Sequence, residues 1–311
     1  MVMFEELAHC RVCPRQCGVN RVNGEVGFCG ETAVLRAARA AAHFWEEPCI
    51  SGASGSGAIF FSGCNMGCVY CQNQDISHGR VGYPVKTDRL ADIMLSLQEQ
   101  GVNNINLVTP THFIPPLREA LIIAKRKGLV LPIVYNTSGY ESVSSLRTLE
   151  GLIDIYLPDC KYYSSELSKK YSHCEDYFPV AMAAIREMLH QVGTPVFRGD
   201  SDDDAYTDDN LMVRGVLIRH LLLPGSLTDS KRVLSSLYES FGSSVYISIM
   251  SQYTPLAHVA DYPPLNRRVS DAEYEKLVDY AISIGIENAF IQGDGVDEES
   301  FIPAFDGEGI V

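Results

Sequence analysis

The chain has 311 residues, 46% of them hydrophobic, and a formal net charge of −14. This length and composition are sufficient to bury a large core in a single domain. A non-specific nucleic-acid binder needs an excess of Lys and Arg to replace phosphate counterions, and 25 basic against 39 acidic residues argue against that class.

The sequence also lacks the segments that would carry it into or across a membrane. No N-terminal stretch combines basic residues with an apolar run, as a signal peptide does. No apolar run approaches the ~20 residues that a bilayer-spanning helix needs. We therefore expect a cytosolic protein without a membrane or nucleic-acid partner. In that compartment, ten cysteines indicate metal or redox chemistry rather than disulfides.

Residues 1–55 differ from the rest of the chain because they contain five of the ten cysteines. We interpret them as a Cys-rich metal-binding segment, followed by a larger unit at 56–311. Within this segment, residues 33–45 are ambiguous: their alanines favour a helix, yet no cap or 3.6-residue apolar stripe supports one. The glycine-rich residues 51–57 predict a loop. They precede a strand rather than follow one, so they do not indicate a dinucleotide-binding loop.

From residue 58 onward, short apolar runs alternate with longer segments of helical periodicity. The predicted strands lie at 58–61, 104–108, 131–135, 153–157, 215–223, 245–250 and 288–292. The predicted helices run from Thr87 or Asp88 to Gly101, from Pro115 and Pro116 to Gly128, over Tyr177–Val192, over 230–241, and from a capping box of Ser270 and Glu273 to Gly285. This alternation predicts βαβ units and an α/β fold with a parallel sheet. We expect the sheet to be closed or half closed on itself, and an open, doubly wound sheet remains the alternative.

Polar or metal-binding residues follow each of the first six predicted strands. They are Cys64, Cys68, Cys71, residues 109–112, residues 136–140, Asp159, Lys161, Arg219, His220, Gln252 and Tyr253. In parallel barrels the chemistry gathers at the carboxyl ends of the strands, so we expect these side chains to share one rim. Arg219 and His220 interrupt an otherwise apolar strand, and their side chains should point to opposite faces. A charge buried there needs a partner, either structural or in a ligand.

Three of these residues, Cys64, Cys68 and Cys71, have the spacing Cys-x3-Cys-x2-Cys directly after a strand. A closed zinc or iron–sulfur site usually takes four protein ligands. Three thiolates on a [4Fe-4S] cluster would leave one iron open for a substrate or cofactor. The spacing and the position after a strand make three unrelated structural cysteines the weaker interpretation.

The stretch CNMGCVYC at 64–71 matches the CxxxCxxC signature of the radical S-adenosylmethionine (SAM) superfamily, with the aromatic Tyr70 before the last cysteine. The resemblance extends over nearly the whole chain to the pyruvate formate-lyase activating enzyme family, and most closely to its PflX-like branch. The segments that carry it are CPRQCGVNR, EEPCISGASGSGAIFFSGCN, CQNQDIS, NLVTPTHF, IVYNTSGYE, DIYLPDCKY and RHLLLPG. It implies a partial (β/α)6 TIM-like barrel with a small Cys-rich N-terminal extension. It also implies an oxygen-sensitive enzyme whose [4Fe-4S] cluster reductively cleaves SAM to a 5′-deoxyadenosyl radical that abstracts hydrogen.

The same resemblance implies which side chains bind SAM. Tyr70 and Tyr253 would lie beside the adenine. The TPTH turn at 109–112 stands in place of the family's Gly-Gly-Glu motif and has no acidic side chain, so Thr109, Thr111 or backbone oxygens would hold the amino group. Contacts to the carboxylate side of SAM and to a monovalent cation would come from Asn136, Thr137, Asp159 and Lys161. Asn136 stands where the family has an aspartate, so the resemblance does not establish that a cation binds.

A second set of cysteines, Cys10, Cys13, Cys17 and Cys29, supplies four ligands for one closed metal site. Common zinc ribbons use two CxxC knuckles, and this pattern contains one. The pattern also resembles the N-terminal [4Fe-4S] site of molybdenum formate dehydrogenases. We therefore expect an auxiliary [4Fe-4S] cluster, with structural zinc as the alternative.

The family resemblance implies a glycyl radical enzyme or another protein as the substrate, and a flavodoxin- or ferredoxin-type reductant. Radical modification of a small molecule or peptide is one alternative, and a non-catalytic iron–sulfur electron carrier is another. Electron transfer does not need six convergent polar loops, so the shared rim favours an enzyme.

Two remaining features, Cys160 and residues 199–210, are not assigned a catalytic role. Cys160 lies between Asp159 and Lys161, and we interpret it as a bystander rather than as a thiol that donates hydrogen. Residues 199–210 carry six aspartates, but they lack the alternating ligands and the central glycine of a calcium loop. We expect them to form a solvated surface loop.

Overall fold

The computed structural model of the chain describes residues 4–79, 81–199, 210–291 and 303–311. The surface loop predicted at 199–210 lies almost entirely outside these residues, so its interpretation stays a prediction. Gln292, the last residue of the seventh predicted strand, also lies outside them. Among the described residues, no helix is long and apolar enough to cross a membrane.

Strands and helices alternate from residue 56 onward in the described part of the chain. The strands are β1 Arg36–His43, β2 Ser56–Phe61, β3 Tyr83–Pro84, β4 Ile105–Val108, β5 Ile133–Thr137, β6 Ile155–Pro158, β7 Val196–Phe197, β8 Met212–Leu221, β9 Tyr246–Met250 and β10 Ala289–Ile291. The α-helices are α1 Pro48–Ser51, α2 Gln74–Ser77, α3 Thr87–Glu99, α4 Ile114–Arg126, α5 Val143–Arg147, α6 Ser165–Ser172, α7 Tyr177–Val192, α8 Leu227–Phe241 and α9 Asp271–Ser283.

The strands form a partial barrel. They pair in the order β10-β9-β8-β6-β5-β4-β2-β1-β3, and β7 pairs with β8 outside this path. All neighbours from β2 to β10 are parallel, whereas β1 is antiparallel to both β2 and β3. The parallel strands follow chain order without reversal, so the sheet has no switch point of the kind that defines a doubly wound fold. The end strands β3 and β10 do not pair with each other in the described residues. The predicted α/β partial barrel is therefore confirmed.

The two faces of the parallel strands are buried in different cores. On β8, Val216 and Ile218 join the large core, while Leu217 joins a second, inner core, because successive side chains of a strand alternate. Helix α1 supplies Cys49 and Ile50 to this inner core. Ile50 is fully buried, which contributes about 1.5–3 kcal/mol. The N-terminal segment thereby fills part of the barrel interior.

Most of the predicted elements are observed. The six strands predicted between 58 and 250 correspond to β2, β4, β5, β6, β8 and β9, and the seventh corresponds to β10. Helix α7 has the predicted bounds, and Ser270 and Glu273 form the predicted capping box. The N-cap of α3 is Lys86, whose side chain makes no capping bond, rather than Thr87 or Asp88. The sequence did not predict α6, the short helices α1, α2 and α5, or the two-residue strands β3 and β7.

The ambiguous residues 33–45 contain strand β1. Alanines favour a helix when they are considered locally, but β1 pairs with β2 along most of its length. The sheet bonds and the burial of Ala37 and Ala38 outweigh a propensity difference of less than about 1 kcal/mol per residue. This pairing attaches the N-terminal segment to the sheet, and the division between residues 1–55 and 56–311 stays a prediction.

Candidate active site

A cavity of about 530 Å³ lies at the carboxyl ends of the parallel strands. Its volume is within the range of small-molecule sites, roughly 300–1,000 Å³. Ten of the eleven residues predicted for the three-cysteine site and its cofactor line it: Cys64, Cys68, Cys71, Tyr70, Thr109, Asn136, Thr137, Asp159, Lys161 and Tyr253. Arg219 and Gln252 line the same cavity. The structure thus brings the residues of the predicted rim together, with Thr111 as the exception among the eleven.

The loop after β2 presents three free thiols to the cavity. The amide N–H of Met66 donates to Cys64 Sγ at 3.3 Å, and the Ser172 hydroxyl donates to Cys68 Sγ at 3.0 Å. Burial raises the pKa of Cys64 to about 12 and the pKa of Cys71 to about 11. The thiols are therefore protonated at neutral pH unless a metal replaces their protons.

Tyr70 and Tyr253 form an aromatic wall beside these thiols. Their ring centroids lie 6.2 Å apart in an edge-on arrangement. The Tyr162 hydroxyl donates to the Tyr70 hydroxyl at 2.7 Å, and the Tyr253 hydroxyl donates to the carbonyl oxygen of Leu265 at 2.5 Å. Because these bonds fix both hydroxyls, the rings offer a preformed apolar surface to a bound molecule.

Arg219 is the centre of a charged network on the cavity wall. Its Nε donates to Asp159 Oδ1 at 2.9 Å. Its Nη1 donates to Glu46 Oε1 at 2.8 Å, and its Nη2 donates to Asn136 Oδ1 at 2.7 Å. Lys161 Nζ donates to Asp159 Oδ2 at 2.5 Å, and although burial acts to raise the pKa of Asp159, the two cations lower it. Arg219 is thus the predicted charged residue that points into the barrel. Its partners are side chains of the protein itself: Asp159, Glu46 and Asn136.

His220 points to the opposite face of β8, as predicted. It is buried, and its Nδ1 lies 2.7 Å from the carbonyl oxygen of Cys160. Burial lowers the pKa of His220, so the ring is neutral. The Cys160 side chain belongs to the large core and is not among the residues that line the cavity. This position agrees with its interpretation as a bystander.

Thr111 is fully buried and does not line the cavity. Its hydroxyl donates to Glu141 Oε1 at 2.5 Å, and the Thr137 hydroxyl donates to the same oxygen. Burial raises the pKa of Glu141 to about 7. The sequence analysis did not identify Glu141, although this acidic residue follows the polar end of β5 closely and could have been recognised from that position. Within the TPTH turn, Thr109 is the residue that lines the cavity.

Glu46 is a second acidic residue that sequence reasoning missed, and unlike Glu141 it lines the cavity. Its Oε2 accepts from Asn106 Nδ2 and from Asn136 Nδ2, both at 2.9 Å. The adjacent Glu47 also lines the cavity, and burial raises its pKa to about 7. Both residues belong to the segment EEPCISGASGSGAIFFSGCN, but the sequence analysis assigned neither to the site, because they reach the cavity through the pairing of β1 with β2.

The cysteines of the N-terminal set line one small cavity of their own: Cys10, Cys13, Cys17 and Cys29. Cys17 is exposed and the other three are buried. The amide N–H of Phe28 donates to Cys17 Sγ at 3.4 Å, and Arg21 Nη1 donates to Cys10 Sγ at 3.8 Å. Among the described residues, no group of three or more His, Cys, Asp or Glu side chains is arranged to hold a metal ion, and this applies to both cysteine sets.

Known proteins resemble the barrel and, in one comparison, most of the chain. Residues 58–211 match the family model described as the Radical SAM superfamily. The uncharacterized protein MJ0674 of Methanocaldococcus jannaschii is 27% identical over 286 residues, which cover 88% of this chain and 74% of that protein. The FeFe-hydrogenase maturase HydG from Carboxydothermus hydrogenoformans shares the fold with a TM-score of 0.50 and 17% identity, over 73% of this chain and 50% of that one. Streptococcus suis SuiB bound to S-adenosylmethionine has a TM-score of 0.49 and 11% identity, over 75% and 49% of the two chains. The chain thus spans about half the length of these two solved structures.

Proposed function

We propose that this protein cleaves S-adenosylmethionine reductively and uses the resulting radical to abstract hydrogen, because residues 58–211 match the family model of the Radical SAM superfamily. One observation carries the proposal: the three motif thiols and the polar ends of the parallel strands line a single cavity of about 530 Å³. Catalytic groups of parallel barrels lie at this end of the strands. A non-catalytic electron carrier has no need of such a cavity.

Cys64, Cys68 and Cys71 are proposed to hold a [4Fe-4S] cluster. Three thiols from one loop fit a cluster that keeps one iron open, and donors from Met66 and Ser172 reach two of the sulfurs, where they favour the thiolate form. When bound, the cluster supplies one electron to the sulfonium of S-adenosylmethionine, which releases methionine and a 5′-deoxyadenosyl radical.

The cavity wall is proposed to bind S-adenosylmethionine in two parts. Tyr70 and Tyr253 would hold the adenine, because aromatic faces suit a flat heterocycle. The amino-acid part of the cofactor carries both an ammonium and a carboxylate, and the wall offers both signs of charge in a fixed arrangement. Its polar and charged residues are Thr109, Asn136, Thr137, Asp159, Lys161, Glu46 and Arg219. Thr111 would act indirectly, by holding the end of β4 to Glu141.

The N-terminal segment, residues 1–55, is proposed to hold an auxiliary [4Fe-4S] cluster at Cys10, Cys13, Cys17 and Cys29. The resemblance of the Cys-x2-Cys-x3-Cys spacing to the N-terminal [4Fe-4S] site of molybdenum formate dehydrogenases supports the cluster, and structural zinc is the alternative. Metal analysis of anaerobically purified protein with the three motif cysteines replaced by alanine tests this assignment. Zinc without iron in that variant would contradict it.

The proposed hydrogen donor is a glycine of a partner enzyme, with a flavodoxin- or ferredoxin-type protein as the reductant. The resemblance of nearly the whole chain to the pyruvate formate-lyase activating enzyme family supports this choice. The Cα–H bond of the glycine would break, with formation of 5′-deoxyadenosine and a glycyl radical. A glycyl doublet in the electron paramagnetic resonance (EPR) spectrum of the partner tests the proposal. If label from deuterated 5′-deoxyadenosine entered only small molecules or peptides, the activase role would be wrong.

The cleavage reaction itself can be tested without a known substrate. The protein is reconstituted with iron and sulfide, reduced with dithionite and mixed with S-adenosylmethionine. We expect 5′-deoxyadenosine and methionine in equal amounts. A fully loaded protein that forms no 5′-deoxyadenosine would be an electron carrier rather than an enzyme of this class.

A further inference from the structure

We propose that the N-terminal four-cysteine site sets the geometry of the three-cysteine loop, so that loading of the first site controls the second. The connection is made by Arg15, which lies between Cys13 and Cys17, and by a close backbone contact between Cys29 and Gly63. This inference rests on the proposed function, because it takes both cysteine sets to hold metal.

Arg15 reaches out of the four-cysteine segment into the three-cysteine loop. Its Nε donates to the carbonyl oxygen of Asn65 at 2.8 Å, and Asn65 directly follows Cys64. Its Nη1 and Nη2 donate to the carbonyl oxygens of His173 and Ser172, at 2.5 Å and 3.0 Å. One planar guanidinium therefore ties two separate stretches of backbone together in a fixed geometry, which a lysine cannot reproduce.

Ser172 links Arg15 to a second cysteine of the three-cysteine loop, Cys68. Its carbonyl oxygen accepts from Arg15, and its hydroxyl donates to Cys68 Sγ at 3.0 Å. Arg15 thus acts on the backbone next to Cys64 and, through Ser172, on the sulfur of Cys68. A displacement of Arg15 would move two of the three proposed cluster ligands.

The same guanidinium is also held by the four-cysteine segment. The guanidinium lies 3.8 Å from the ring centroid of Phe28, a stacked cation–π arrangement. Phe28 is the residue before Cys29, and its amide N–H donates to Cys17 Sγ. The position of Arg15 therefore depends on the same loops that would close around the N-terminal metal.

Gly63 provides a second contact between the two sites. Its φ is +80°, a conformation that L side chains rarely adopt. A Cβ atom at this position would lie 2.7 Å from the carbonyl oxygen of Cys29 and 2.5 Å from Glu31 Cγ. The backbones on either side of the contact are thus as close as glycine allows, one residue before Cys64.

The test uses the SAM-induced change in the EPR spectrum of the reduced cluster, which reports only the cluster that binds the cofactor. We compare Arg15→Gln, Arg15→Lys and Cys13→Ala with wild type after anaerobic reconstitution. Arg11→Gln, an exposed arginine between Cys10 and Cys13, is the matched control. We expect roughly a tenfold or greater rise in the cofactor concentration for half-maximal change in Arg15→Gln and Cys13→Ala, a smaller rise in Arg15→Lys, and none in Arg11→Gln.

An unchanged half-maximal concentration in Arg15→Gln or in Cys13→Ala would overturn the coupling and leave the proposed function intact. Failure of the proposed function is a different result, because the wild type itself would then show no SAM-dependent signal. Circular dichroism verifies that each variant folds. If Arg15→Gln does not, Arg15→Lys decides by the same criterion.

Discussion

Arg219 on β8 and Glu46 in the N-terminal segment form an ion pair with 2.8 Å between Nη1 and Oε1, although 173 positions separate them in the sequence. Their side chains are only 15% and 11% exposed. The pair therefore joins the N-terminal segment to the wall of the cavity in surroundings where solvent screens charges little.

Replacement of Arg219 by methionine should destabilise the fold. Glu46 and Asp159 would lose their shared cation, and removal of one partner from a buried charge network typically costs about 3–5 kcal/mol. We expect a loss near the lower end of this range, because Lys161 remains as a partner for Asp159. Urea unfolding measures the change in the free energy of unfolding.

Arg214→Met is the matched control for this prediction, since Arg214 lies on the same strand and is exposed. It should change the free energy of unfolding by less than about 1 kcal/mol. Equal losses in the two variants would show that the network contributes nothing beyond a surface arginine.

Replacement of any one of Cys64, Cys68 and Cys71 by alanine should remove the SAM-dependent EPR signal and the formation of 5′-deoxyadenosine. Two thiolates cannot hold the cluster in the geometry that keeps one iron open for the cofactor. Cys160→Ala is the control, because Cys160 is buried outside the cavity. It should retain wild-type iron content and activity. A Cys160→Ala variant that holds its cluster and cleaves SAM but no longer completes hydrogen transfer would contradict the bystander interpretation.

Glu141→Gln should change how stability depends on pH. The folded pKa of Glu141 is raised from 4.5 to about 7, mainly by burial. The contribution of this group to stability is therefore fully present below pH 4.5 and is lost as the pH rises through 7. The rise corresponds to about 3 kcal/mol. Urea unfolding from about pH 5 to about pH 8 should show the wild type losing approximately this amount relative to the variant.

The exposed Glu150 provides the control for that experiment. Glu150→Gln should follow the wild-type pH dependence of the free energy of unfolding within about 0.5 kcal/mol. If Glu141→Gln and wild type changed in parallel across this range, the carboxyl would not be held protonated by its surroundings.

Tyr253→Ala should weaken the binding of S-adenosylmethionine to the reconstituted protein about fivefold or more, because stacking of a base on an aromatic ring is worth roughly 1–3 kcal/mol. Tyr253→Phe keeps the ring and should bind within a few-fold of wild type. Calorimetric titration measures both affinities. Tyr163→Ala, an exposed tyrosine away from the cavity, should bind as wild type does. Equal affinity of Tyr253→Ala and wild type would place the adenine elsewhere.

The parts of the site that could be predicted from sequence lie at the ends of parallel strands. Asn136, Asp159 and Arg219 each come directly after or within an apolar run, and a parallel sheet brings such positions to one edge. The alternation of side chains along β8 was enough to assign Arg219 and His220 to opposite faces. These inferences need only local periodicity and one rule about sheets.

The parts that could not be predicted depend on contacts between distant segments. Glu46 reaches the cavity because β1 pairs with β2, and residues 33–45 gave no clear signal for a strand. The Thr111 hydroxyl is turned toward Glu141 by a 3-10 turn over Thr111–Phe113, and spacing alone does not reveal the direction of a turn. Long-range strand pairing thus explains why sequence analysis missed Glu46, and turn geometry explains why it misplaced Thr111.

The packing of α1 inside the barrel also has a consequence for the N-terminal segment. In the described structure, Cys49 and Ile50 pack against Val134 and Leu217, so this segment supplies part of the barrel interior. A chain shortened to begin at residue 56 would expose these apolar side chains of β5 and β8 to water, and the barrel would lose stability together with its first four cysteines.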